Sequence, residues 1–302
     1  MGRSLVNLPL VLGTVQFGLH YGVANKVGQP DQMTVTEIIR TAWDQGVREF
    51  DTAQDYGASE EVLGFAFTQL GIAKEAKVIS KINPDIDHND LGAMSDALDG
   101  SLRKLGVPCL EGLMLHQEGL LSQWHEGLGD ILKGFVASGK VKRIGISVYS
   151  PAKALEAIHV DGMDLIQVPS NILDRRFEKH GIFELACQKK KQIYIRSVFL
   201  QGLILMDIED LPASMSSGRS VLEKINILSS ELGLTRQELA LGYLKARMPQ
   251  AKLIIGVDTA HQVMANVMAW RNDFPEKHQT CVAETFDLVD EKILNPALWG
   301  GN

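Results

Sequence analysis

Eight short apolar runs recur along the chain: LVLGT at 10–14, REFDT at 48–52, KVISK at 77–81, GLMLH at 112–116, KRIGIS at 142–147, LIQVP at 165–169, IYIRS at 193–197 and KLIIG at 252–256. Each has strand length. Between them lie segments with apolar residues at helical spacing, among them TVTEIIRTAWDQG, DLGAMSDALDGSLRKLG and WHEGLGDILKGFVASG. Several open at Ser, Thr or Asp and close at Gly, which satisfy the unpaired amides and carbonyls of helix ends. Strand then helix, eight times and with no Pro/Gly/Ser-rich linker, predicts an α/β fold: a closed parallel (β/α)8 TIM barrel in one domain over 1–302. The longest connection, 201–251, predicts a polar loop and two helices around SVLEKINILSSELG and TRQELALGYLKA, and a helical tail follows the eighth strand.

Composition narrows the function classes. Of 302 residues, 45% are apolar and 22% charged, enough to bury a core and too few charges for a disordered chain. Thirty Lys and Arg against 37 Asp and Glu give a net charge of −7, and no long basic run is present, which argues against nucleic-acid or membrane-surface binding. Cys109, Cys187 and Cys281 are odd in number and far apart, so neither a disulfide framework nor a structural metal site is expected. The N-terminal stretch lacks a sustained apolar core and no run of about 20 apolar residues follows, so the expectation is a soluble, unprocessed, cytoplasmic protein, monomeric by default.

In such barrels the chemistry sits at the C-terminal ends of the strands. Reading the ends of the runs gives Asp51, Lys81, His116, Ser147 and Gln167, with Tyr56 five residues past Asp51. Polar groups ending apolar strands need a reason. A phenol ionises near pH 10 in water, and a neighbouring ammonium lowers that value, a role open to Lys81. A buried ammonium needs a carboxylate beside it, which Asp51 supplies. His116 can hydrogen-bond a carbonyl oxygen and stabilise a developing alkoxide. The set holds no activated nucleophile and no metal ligands, and suits carbonyl reduction with a hydride from a cofactor.

On these residues the chain resembles the aldo-keto reductases. FDTAQDYGASEEVLG at 50–64 is similar to that family's signature, VISKI carries Lys81 and LMLHQ carries His116, so Asp51, Tyr56, Lys81 and His116 match the catalytic tetrad. GKVKRIGIS, IQVPSNILDRR, RSVFLQGLI and LIIGVDTAHQVMANV extend the resemblance over essentially the whole chain. It implies a nicotinamide dinucleotide extended across the barrel mouth. Matched one position at a time, it places Ser147 and Gln167 at the carboxamide, Gly13 and Thr14 beside the nicotinamide, Ser197 and Gln201 over the pyrophosphate, and Asn266 at the adenine. Arg196 stands where many members have a tyrosine stacked on the nicotinamide. Gly256 to Thr259 and Gln262 stand where many place cations for the 2′-phosphate, leaving His261 and Lys252 as the local cations. The family's leaning implies NADP(H) first, and the scarcity of local cations keeps NAD(H) as the second choice. The substrate is a small carbonyl compound, and Arg175, Arg176 and Arg196 point to a hydroxylated or anionic one.

Other motifs weigh less. GFVASGK at 134–140 lacks the Ser/Thr of a phosphate-binding loop and runs from helix to strand, so it reads as a helix end. DIDHND at 85–90 reads as a solvated loop, and KKK at 189–191 as a basic helix end. Two alternative functions remain: a cofactor-sensing regulatory barrel with slow turnover, as in the potassium-channel beta subunits of the same superfamily, and an isomerase or aldolase using Lys81 as a Schiff base.

Overall fold

A computed structural model describes residues 7–26 and 28–299. Its strands are β1 Leu10–Gly13, β2 Glu49–Asp51, β3 Lys77–Ile82, β4 Gly112–Leu115, β5 Ile144–Ser147, β6 Leu165–Pro169, β7 Gln192–Arg196 and β8 Lys252–Gly256. They close in chain order into one parallel barrel, β8 pairing back onto β1 from Leu10↔Leu253 to Gly13↔Gly256. All eight predicted strands are present. His116 and Ser197 each lie one residue beyond their strand, on the first position of the loop.

Alternation along each strand divides the chain between two cores. Leu10, Leu12, Phe50, Val78, Leu113, Ile144, Ile166, Ile195 and Leu253 face outward into the large cluster shared with the helices. There Phe50 meets Phe67 edge to face, with ring centroids 4.8 Å apart. Val11, Ile79, Met114, Leu165, Tyr194 and Ile254 form a separate buried cluster inside the barrel. At the N-terminal end of the strands, the Tyr194 hydroxyl donates to Glu49 at 2.9 Å and Lys252 Nζ donates to the other Glu49 oxygen at 2.6 Å. Burial and the Glu49 charge hold the Tyr194 phenol far above its ordinary value.

The helices are begun by side chains that the sequence placed for the purpose. Asp31 caps Gln32–Asp44, Asp90 caps Leu91–Leu105, and Ser150 followed by Pro151 caps Pro151–His159. Thr235 and Glu238 form a reciprocal capping box at Arg236–Arg247. Each such cap stabilises by about 1 kcal/mol. Gly71, Gly106 and Gly233 close their helices in the left-handed region. The long connection holds helices Arg219–Leu232 and Arg236–Arg247, and the tail carries Glu276–Thr285 and Glu291–Leu294. The 85–90 segment is a loop with Asp85, Asp87, Asn89 and Asp90 exposed, as expected, and within it His88 alone is buried, which lowers its pKa. Among the described residues no helix is long and apolar enough to cross a membrane.

Candidate active site

Moving two residues along each strand from the inner apolar layer reaches the next inward position. From Val11, Glu49, Ile79, Leu165, Tyr194 and Ile254 this step gives Gly13, Asp51, Lys81, Gln167, Arg196 and Gly256, and from Met114 and Gly145 it gives His116 and Ser147. The next inward position on each strand, or one residue past its end at His116, thus lies toward the C-terminal mouth, staggered by the register between neighbouring strands. The polar character that seemed out of place at the strand ends is the periodicity of the barrel interior, switched from apolar to polar toward the C-terminal mouth.

Lys81 is fully buried and donates from Nζ to Asp51 Oδ2 at 2.7 Å and to the Thr52 carbonyl at 2.8 Å. Its charge is thereby engaged. A Schiff-base role does not fit this placement, because Asp51 lines the adjoining cavity and Lys81 does not. Gln167 Nε2 donates to Asp51 Oδ1 at 2.7 Å, so part of its amide is committed within this polar set.

Tyr56 reaches these residues from the loop after β2. That loop is clamped: a Cβ at Gly18 would strike the Tyr56 carbonyl and the Ser59 amide, and Gly57, with φ +54°, would strike the Gly18 carbonyl. Only glycine lets the two segments pack this closely. The Tyr56 ring stands edge to face with His116 at 5.7 Å, and Lys81 Nζ lies 5.0 Å from its centroid. Burial, then the Asp51 carboxylate, push the Tyr56 phenol well above its ordinary value, while Arg196 pulls the other way. The sequence-based expectation of a lowered phenol is therefore reversed: Lys81 is neutralised by Asp51, and desolvation of the phenolate dominates.

His116 Nδ1 lies 3.1 Å from Asp55 Oδ1, close enough to pair but off the line of a hydrogen bond. Burial is the largest single influence and would raise the Asp55 pKa, but His116, the Asp55 backbone amide and the Lys81 charge together bring the carboxyl below the ordinary range.

Asp51, Tyr56 and His116 line a cavity of about 540 Å3. All ten residues proposed from the sequence for a cofactor line it too: Gly13, Thr14, Ser147, Gln167, Arg196, Ser197, Gln201, Gly256, Gln262 and Asn266. The loop after β7 enters it in left-handed conformations at Ser197, Leu200 and Gln201, strained for residues other than glycine. Lys252 is not among its walls, being bound to Glu49 at the opposite end of the barrel, and His261 is exposed. Gln262 instead accepts from the Asp258 amide at 2.6 Å.

The sequence profile of the aldo/keto reductase family matches residues 9–284. The chain belongs to that family. Aldo-keto reductase YhdN of Bacillus subtilis (strain 168) is 28% identical over 185 residues, 59% of this chain and 55% of that protein, so the chain matches about half the length of this relative. L-glyceraldehyde 3-phosphate reductase of Escherichia coli O157:H7 is 25% identical over 297 residues, 86% of this chain and 84% of that protein. The crystal structure of an aldo/keto reductase from Klebsiella pneumoniae in complex with NADP and acetate shares the fold, with a TM-score of 0.71 at 21% identity over 93% of this chain and 92% of that one.

Within this aldo/keto reductase barrel, sequence reasoning overlooked Asp55, Tyr21 and Tyr149. Asp55 was visible inside FDTAQDYG, one residue before Tyr56. Tyr21 and Tyr149 lie on loops with no periodicity to mark them, and both line the cavity. Arg175 is engaged by Glu178 at 3.0 Å and the Ala283 carbonyl at 2.7 Å, away from the mouth.

Proposed function

We propose that this aldo/keto reductase reduces an aldehyde or ketone to an alcohol with NADP(H), using Tyr56 as proton donor. The observation that carries the reading is the convergence of Asp51, Tyr56 and His116 on one cavity, with Lys81 locked behind Asp51. The fit of a dinucleotide is supported by the cavity's size, in the range of small-molecule and cofactor sites, and by its reach from Asp51 to Asn266 on the helix Ala260–Arg271. Ser147 and Gln167 would hold the carboxamide, Ser197 and Gln201 the pyrophosphate, and Asn266 the adenine. NADP(H) comes first because the similar Klebsiella structure is a complex with NADP, and NAD(H) second because no Lys or Arg lines the cavity beside Gln262.

When bound, the nicotinamide supplies the hydride. The Tyr56 hydroxyl gives its proton to the carbonyl oxygen, for which a phenol held protonated through neutral pH is suited. His116 donates a hydrogen bond to the same oxygen and fixes the approach of the carbonyl carbon. Asp51 and Lys81 maintain the polar floor on which Tyr56 rests.

The test is Tyr56→Phe, followed by nicotinamide absorbance with a panel of aldehydes. Turnover should fall by about 10²- to 10⁴-fold while dinucleotide binding persists. Unchanged turnover would refute the assignment.

A further inference from the structure

A second cavity of about 720 Å3 adjoins the first, and Tyr21, Tyr149, Arg196, Ser197 and Gln201 form walls of both. The outer side of this second cavity is built by the tail, with Leu294, Asn295 and Trp299, which lies beyond the family-matched segment 9–284.

Two cations line it. Arg176 is already bound by Asp174, at 2.8 Å from both Nε and Nη2, and the tail carboxylate Glu291 is near it. Arg196 differs. Its guanidinium lies over the Tyr149 ring at 4.1 Å, and Nη1 makes a long contact of 3.4 Å to Ser197 Oγ. Nη2 is buried with no hydrogen-bond partner, and no carboxylate pairs with Arg196 among the described residues. A guanidinium loses water on burial and needs charge or acceptors in return. Here one planar face is held by tyrosine, and the Arg196 side chain forms part of the wall shared by the two cavities.

We infer that Arg196 anchors an anionic group of the substrate, so that the preferred substrate is a carbonyl compound carrying a carboxylate or phosphate at its far end. The inference rests on the reductase reading. With Tyr56 and His116 confined to the first cavity, the reacting carbonyl belongs there and the body of the substrate extends past Tyr149 into the second. Ser150 and Ser214, which line that space, offer further hydroxyl donors to anionic oxygens.

The experiment compares 4-carboxybenzaldehyde with its neutral methyl ester, methyl 4-formylbenzoate, on the wild type, Arg196→Gln and Arg196→Lys. The wild type should favour the carboxylate in kcat/KM, and Arg196→Gln should cut that preference by about tenfold or more, chiefly through KM, as loss of a charge-assisted hydrogen bond implies. Arg196→Lys should restore part of it. Calorimetric titration with terephthalate, which cannot be reduced, should show weaker binding to Arg196→Gln by a similar factor. Equal terephthalate affinity, or an unchanged preference accompanied by weaker dinucleotide binding, overturns the proposal, the latter by assigning the guanidinium to the cofactor's phosphates. Absence of turnover with both aldehydes would count against the reductase reading, while the terephthalate titration still decides the role of Arg196.

Discussion

Gln167 donates to the one oxygen of Asp51 that Lys81 leaves free. Lys81 holds Oδ2, Gln167 holds Oδ1, and the carboxylate is only 4% exposed. Replacing Gln167 with Leu leaves a buried carboxylate oxygen unmatched, which costs about 1–3 kcal/mol. Urea denaturation should show that loss, and a midpoint equal to the wild type would mean the bond contributes nothing to folding.

The Lys81–Asp51 pair should be costly to break from one side and far less so from both. Lys81→Met strands a charge inside the barrel and should destabilise by about 3–5 kcal/mol. Adding Asp51→Asn removes that charge, and the double variant should recover a large part of the deficit. A double variant as unstable as the sum of the two singles would contradict the coupling.

Tyr56 should remain a phenol through neutral and moderately alkaline pH. Because its pKa is raised on folding, the stability linked to it is fully present below the ordinary value of about 10 and is lost as pH rises above it. The wild type should therefore lose unfolding free energy above pH 10 more steeply than Tyr56→Phe. Below that pH the difference between them should be flat. A slope appearing near neutrality would place the phenol's ionisation lower than its surroundings imply.

Cofactor choice should be adjustable at Gln262. The position caps nothing essential beyond the Asp258 amide, and Asp258 is itself pushed up by burial. Gln262→Arg brings a guanidinium to the start of the helix Ala260–Arg271 and should tighten NADPH by about tenfold or more. NADH should change little. Fluorescence titration of both dinucleotides measures the contrast, and equal gains would show that the 2′-phosphate lies elsewhere.

Much of this was legible in the chain because barrel strands state their interior twice, once as alternation and once as the chemistry that ends it. Asp51, Lys81, His116 and Gln167 were visible as polar ends of apolar runs, and the structure gathers them at one end of the barrel, with Asp51 bonded to both Lys81 and Gln167. Distance relations were not visible. The Lys81–Asp51 pairing was expected, but that the Tyr56 phenol is raised rather than lowered depends on desolvation, which a linear sequence does not express. Lys252 looked available for a phosphate, yet its place at the start of β8 commits it to Glu49. Tyr149 gave no signal at all, since its partner Arg196 is distant in sequence and its loop has no repeat to betray a direction.

Tyr194, tied to Glu49 and Lys252, stops the barrel at the end away from Tyr56. Among the described residues, the packed cluster of Val11, Ile79, Met114, Leu165, Tyr194 and Ile254 fills the barrel between that end and the Tyr56 cavity. The cavity that Tyr56 lines has its doorway among loops that include the strained turn at Ser197 to Gln201. Traffic through that doorway, rather than bond making at the floor, is then the natural place for a throughput limit, and widening it would trade residence time for speed.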